Sequence, residues 1–224
     1  MASIPAVINT LDELAMCADA LFACDQRFQV LHERNGLPRL RRRAGGLEGL
    51  AEIVVGQLIS IRAADVIWAR VSQSVGQFRA SDVAAMQVDQ LAGLGLTRAK
   101  AATIIRAAQL QENGVFSFAA LEKMDDCAAA TALMQLKGVG RWTADIYVLS
   151  CLGRSDVWPG GDLAVRAGLQ SFEGLDKIPA IPEMNQLADK WRPLRAVAAR
   201  YLWDHYAVQR SENAQSMQMA RQAK

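Results

Sequence analysis

The sequence predicts an all-α fold, and three observations carry that prediction. Apolar residues recur at three- and four-residue spacing over long windows, alternating patterns of strand length are absent, and glycine- or proline-marked breaks separate the periodic segments. With 224 residues, 51% of them apolar, the chain has core enough for one large domain or two lobes. About ten helices with short connections are expected.

The elements follow in order. The stretch LAEIVVGQLISIRAADVIWARV (50–71) reads as one amphipathic helix after a first break at NGLPRLRRRAGG (35–46). A second break, LAGLGLTR (91–98), leads into the helical RAKAATIIRAAQLQ. ATALMQL and DIYVLSCL are helical patterns on either side of LKGVGR, and WPGG (158–161) interrupts before LAVRAGL. PLRAVAARYLWDHY closes the periodic part, with Pro193 suited to the first turn of its helix, and the polar tail SENAQSMQMARQAK is expected to fray. LAGLGLTRAKA and LKGVGRWTADI resemble each other, an internal echo of one helix–hairpin–helix unit.

Composition excludes several classes. The 25 Lys and Arg against 23 Asp and Glu leave a formal charge of +2, too small to argue for nucleic acid, so local clusters such as RLRRR (39–43) must carry that case. That run reads equally as a solvated loop after Pro38. No apolar run approaches the ~20 residues of a membrane helix. Asp12 and Glu13 stand where a signal peptide needs apolar residues, so no membrane association and a cytoplasmic location are expected. Four scattered cysteines without a C-x-x-C pair, and two histidines, argue against a zinc site or an iron–sulfur cluster.

The segment LKGVGRWTAD (136–145) carries the first chemical signal. Gly138 and Gly140 permit positive φ and close backbone approach. The turn exposes N–H groups at the start of the next helix, where a phosphate oxygen is favoured, and Lys137 and Arg141 add attraction. Such a contact positions a nucleic-acid backbone without reading its sequence. A dinucleotide fingerprint would need glycine where Thr143 stands, and the ending of a P-loop is missing. A plain helix–helix turn fits the same letters.

LKGVGRWTAD followed by VWPGGDLAVRAGL resembles the helix–hairpin–helix/Gly-Pro-Asp signature of base-excision DNA glycosylases. Within that superfamily the chain is most similar to the 3-methyladenine DNA glycosylase II branch. IVVGQLISIRAADVIWARV, GLTRAKA and WRPLRAVAARYLW resemble further family segments in the same order, over about residues 20–206. The resemblance implies a two-lobed helical fold with the active-site cleft between the lobes. One lobe is a six-helix barrel over 46–154 ending in the helix–hairpin–helix; the other, 1–45 plus 155–224, carries the catalytic aspartate loop.

The activity implied is monofunctional hydrolysis of the N-glycosidic bond of alkylated purines (3-methyladenine, 7-methylguanine type) in double-stranded DNA, by a monomer. Asp162 matches the catalytic aspartate, which stabilises an oxocarbenium-like transition state. From spacing alone, Asp162 reads as the N-cap of the following helix or a partner for Arg166. Leu58 and Gln57 match the positions that intercalate where the base is flipped out, although leucine on an amphipathic helix is more often core. Trp142, Trp203 and Trp158, with Ile146 and Leu163, match the base pocket, where indole faces would attract a cationic purine. Ile146 and Leu163 stand where family members often carry aromatics, and Gly161 replaces the first of a frequent Asp-Asp pair.

Lys137, Gly138, Val139, Gly140, Arg141 and Thr143 are implied to contact phosphate, with a structural Na+ or K+ on the Leu136 and Val139 carbonyls and no cofactor required. Bifunctional relatives carry a Schiff-base lysine at the position of Trp142, so no lyase activity is expected. The alternatives are a glycosylase for ethenoadenine, hypoxanthine, uracil or an oxidised base, or a non-catalytic helix–hairpin–helix DNA-binding module.

Overall fold

Thr10 starts the first helix, α1 (Leu11–Cys24), through a capping box. Its hydroxyl accepts the Glu13 N–H at 3.1 Å while the Glu13 carboxylate accepts the Thr10 N–H at 3.0 Å. The next helix, α2 (Arg27–Asn35), stops at Gly36, whose φ of 78° no side chain favours. In the computed structural model, which describes residues 4–222, both belong to one of two compact units. That unit takes the chain up to Arg41 and from Gly153 onward; the other is Arg42–Leu152.

The Arg42–Leu152 unit holds α3 (Gly46–Gly56), α4 (Ile61–Val75), α5 (Ala80–Ala84), α6 (Val88–Ala92), α7 (Arg98–Glu112), α8 (Phe118–Leu121), α9 (Asp126–Met134) and α10 (Arg141–Ser150). Among these segments α5, α6 and α8 are only four or five residues long, too short to leave a periodic trace in the sequence. Leu47, Leu50, Ile53, Val54 and Val55 of α3 are buried, as is every residue of α10 from Thr143 to Ser150. Burial contributes roughly 1.5–3 kcal/mol per large aliphatic side chain, so these two helices anchor the unit's core.

The expected single helix over 50–71 is two. α3 ends at Gly56, and Ser60 opens α4 by accepting the Ala63 N–H on its hydroxyl at 3.2 Å. The periodicity ran unbroken through 57–60 because Leu58 and Ile59 are apolar although exposed. The internal echo is one of letters and not of backbone. Gly93 and Gly95 have φ of −59° and 112°, whereas their counterparts Gly138 and Gly140 have 90° and −91°.

In the first unit the chain continues through α11 (Leu163–Glu173), α12 (Ile181–Ala188), a 3-10 turn (Asp189–Trp191) and α13 (Arg195–Gln222). Pro193 lies two residues ahead of α13, and the tail expected to fray continues as helix to Gln222, its Ala, Gln, Met and Arg being good helix formers. The core gathers Leu21, Phe28, Leu169, Trp191, Val197 and Leu202, with Phe28 stacked on Phe172 at 4.6 Å and edge-on to Trp191 at 5.1 Å. Gly168 lets α11 lie against α13, since a Cβ there would run into the Leu202 carbonyl. Among the described residues, β structure is limited to an isolated bridge between Val7 and Arg154. No helix among them is long and apolar enough to cross a membrane.

Candidate active site and nucleic-acid contacts

Pro159-Gly160-Gly161 delivers the chain to Asp162, the N-cap of α11. Asp162 Oδ1 accepts the N–H groups of Ala164 and Val165 at 3.0 Å each, so the cap read from spacing is present. The same oxygen also accepts the Trp203 indole N–H at 2.8 Å, reaching across from α13. Close approach at Gly168 makes that pairing feasible, because it sets the neighbouring turns of α11 and α13 against each other. Three donors on one oxygen hold the carboxylate in a defined orientation. Arg166, the other partner considered, donates from Nε and Nη2 to the Pro179 carbonyl at 3.1 and 2.8 Å.

Arg41 is the residue that sequence reasoning missed. It adopts φ of 55°, its guanidinium lies 4.8 Å from the Trp203 ring centroid, and Nη2 donates to Asp204 Oδ1 at 3.1 Å. Burial pushes its pKa down, as does the Arg39 charge, while Asp204 opposes both. The signal for it was the basic run 39–43, which structure assigns largely to internal bonds. Arg39 also pairs with Asp204. In the other unit, Arg42 donates to the Ser150 and Cys151 carbonyls at 2.7 and 2.8 Å, and Arg43 pairs with Glu52.

The pocket residues divide. Asp162, Trp203 and Leu163 lie in one unit, with Leu163 exposed at the start of α11. Trp142 and Ile146 lie in the other, one turn apart on α10, Trp142 half-buried and Ile146 buried. Trp158 does not line a pocket: it is 5% exposed and edge-on to Trp191 at 5.9 Å in the core. A tryptophan between Val157 and Pro159 packs inward there because it is the largest apolar group that loop has to bury.

In the Arg42–Leu152 unit the hairpin joins α9 to α10. Gly138 has φ of 90°, and a Cβ on it would run into the Thr103 side chain, so only glycine fits. The Val139 N–H donates to the Leu136 carbonyl at 2.9 Å, and both side chains are buried, anchoring the turn. Lys137, Gly138, Gly140 and Arg141 are exposed. Gly140 is the N-cap of α10 and has no side chain to cap it, which suits an anion at that helix end. Arg141 Nε donates to the buried Asp145 Oδ1 at 2.8 Å.

Two expected DNA contacts are re-assigned. Thr143 is 2% exposed, and its hydroxyl accepts from Gln57 Nε2 at 2.9 Å instead of facing phosphate. Gln57 Nε2 also donates to the Gly138 carbonyl at 3.2 Å, so its side chain braces the hairpin and does not project for intercalation. Leu58 beside it is 104% exposed with φ of 56°. A left-handed conformation costs an L-residue roughly 1–2 kcal/mol, and full exposure returns nothing.

Among the described residues no group of three or more His, Cys, Asp or Glu side chains could hold a metal ion. Cys17 and Cys151 are buried, Cys24 and Cys127 exposed, all as free thiols. The Leu136 carbonyl accepts the Val139 N–H at 2.9 Å and keeps a second lone pair open to a further partner.

Comparison with known proteins converges on one family. The family described as HhH-GPD superfamily base excision DNA repair protein matches residues 41–193. DNA-3-methyladenine glycosylase 1 of Schizosaccharomyces pombe is 28% identical over 160 residues, 70% of each chain. Alkylbase DNA glycosidase-like protein mag2 of the same organism is 36% identical over 83 residues, 37% of this chain. The match spans only 39% of that relative's length. The structure of S. pombe 3-methyladenine DNA glycosylase (Mag1) in complex with abasic DNA superposes with a TM-score of 0.77 at 26% identity, covering 84% of this chain and 94% of that one.

Proposed function

The chain belongs to the HhH-GPD superfamily of base excision DNA repair proteins, and from that premise we propose that it is a monofunctional DNA glycosylase. Its substrates are alkylated purines of the 3-methyladenine and 7-methylguanine type in double-stranded DNA, and its reaction is hydrolysis of their N-glycosidic bond. The names of the relatives support the substrate class. The observation that carries base extrusion is Leu58, an apolar side chain held strained and fully exposed, which suits a wedge into the base stack.

The residues divide the work. The exposed backbone of Gly138 and Gly140, with Lys137 and Arg141, holds a phosphate at the start of α10 while Val139 anchors the turn from behind. Leu58 fills the gap that the extruded nucleotide leaves. The Asp162 carboxylate, oriented by Trp203 and the first turn of α11, faces the developing oxocarbenium charge. Water adds to the anomeric carbon, the base departs with the bonding electrons, and the water's proton passes to Asp162. A base already made cationic by alkylation leaves without acid assistance, so one carboxylate suffices. Trp142 has no amine and forms no Schiff base, so the strand stays intact.

No cofactor and no iron–sulfur cluster take part in this scheme, and the protein acts as a monomer in the cytoplasm. A Na+ or K+ on the Leu136 and Val139 carbonyls would add positive charge beside the phosphate.

A second reading keeps hydrolysis of the N-glycosidic bond and changes the base to a neutral one, which takes up a proton as it leaves. The Arg41 guanidinium already lies over Trp203, which disfavours a cationic purine on that face and favours a neutral damaged base such as hypoxanthine. Methylated duplex DNA and hypoxanthine-containing duplex, incubated with the protein, test both. Free methylated purines released from strands that break only after alkali are expected. Hypoxanthine released faster would establish the second reading, strand cleavage without alkali would contradict the monofunctional assignment, and no release from either would leave a binding module.

A further inference from the structure

Leu58 poses a problem that a wedge role alone does not solve: what holds its backbone in the left-handed region when its side chain is buried by nothing. Lys100 is placed to do it. Its ammonium donates to the Val55 carbonyl at 2.9 Å and to the Gln57 carbonyl at 2.6 Å. The Gln57 carbonyl belongs to the planar peptide that leads into Leu58, so fixing that oxygen fixes the plane from which Leu58 turns. Both carbonyls lie at the C-terminal end of α3, where the helix dipole favours a cation.

The local sequence points the same way. Thr97 caps α7 by accepting the Lys100 N–H on its hydroxyl at 3.3 Å, which puts Lys100 in the helix's first turn. Three residues after a capping threonine, Glu or Gln would complete a capping box, whereas a cation opposes the dipole of its own helix. Arg98 already adds a positive charge to that turn. Lysine is therefore a poor choice for α7 and a good one for the end of α3. Gln57 provides the second brace through its side-chain bonds to Gly138 and Thr143.

We propose that Lys100 is a positioning residue for base extrusion: by bridging the Val55 and Gln57 carbonyls it holds Leu58 in its projecting conformation and ties the wedge loop to α7. Lys100 acts through Leu58 and not on the substrate, and the proposal rests on the glycosylase reading above. Lys100→Met keeps the stem and removes the donors, and Lys100→Arg restores them. Each is compared with wild type, Leu58→Ala and the Lys100→Met/Leu58→Ala double variant by two readouts. One is base release from alkylated duplex DNA. The other is fluorescence of 2-aminopurine beside an abasic analogue, which reports unstacking on binding whether or not chemistry follows.

Lys100→Met is expected to lower release on the order of ten-fold and to remove most of the fluorescence rise, Lys100→Arg to recover both, and Lys100→Met to add nothing to Leu58→Ala. An undiminished fluorescence rise in Lys100→Met, or losses that multiply in the double variant, would overturn the proposal. Wild type that unstacks DNA yet releases no base sinks the glycosylase reading while leaving the fluorescence comparison to decide on Lys100. Should thermal melting show Lys100→Met unfolded, Lys100→Leu, which likewise lacks a donor, carries the same comparison.

Discussion

Trp203 spends its indole N–H on Asp162 and one ring face on Arg41, so its chemistry differs from that of a free aromatic surface. Trp203→Phe keeps a ring and removes the donor. Single-turnover base release is expected to slow about ten-fold, the scale of one lost hydrogen bond to a charge-stabilising group, with KM little changed. A raised KM at unchanged rate would instead make Trp203 a base platform. None of this was legible in the chain: Asp162 and Trp203 are 41 residues apart, and no local pattern announces a long-range side-chain bond. What spacing did announce was the N-cap, because the cap donors are two and three residues on. Arg41 was hidden for a different reason, since a basic run looks the same whether its members meet solvent, phosphate or Asp204.

Helices and turns are where local physics and tertiary demand separate. The hairpin was legible because Gly138 leaves a signature that no other residue can supply. Gly138→Ala should destabilise the fold by about 1–3 kcal/mol, read from a urea midpoint, and weaken duplex binding at fixed salt. Unchanged affinity would remove the hairpin from the DNA contact. The break between α3 and α4 was not legible, because an exposed wedge and a buried core position carry the same leucine. Asp25, at the end of α1, joins three further elements: it pairs with Arg27 of α2, which pairs with Glu173 of α11, and it accepts from Trp191 of the 3-10 turn.

The Arg27 hydrogen bond, against the cost of burial and with help from Trp191, holds the Asp25 carboxyl at about 2. A depressed carboxylate pKa stabilises the fold above the ordinary unfolded value near 4, and that contribution fades as pH falls toward 2. Asp25→Asn should therefore cost about 2 kcal/mol at pH 7, with the difference from wild type shrinking progressively below pH 4. A cost independent of pH would contradict the assignment.

At the scale of the molecule, fold class was legible because nearly every helix buries one face and leaves a 3.6-residue period, while the one-turn helices α5, α6 and α8 bury too little to leave any. Family membership followed from several motifs in order, and the match over 41–193 takes in α3 through α12 together with the hairpin and Asp162. Central to the account is that Asp162 does more than cap α11. Asp162→Asn keeps an oxygen for the Ala164, Val165 and Trp203 N–H groups but removes the charge. Release of free methylated purine from methylated duplex DNA by this variant, set beside its affinity for the same duplex, is the most direct measurement. The account predicts that release falls at least on the order of a hundred-fold while binding stays close to wild type. Release near the wild-type rate would contradict it and leave Asp162 as a helix cap.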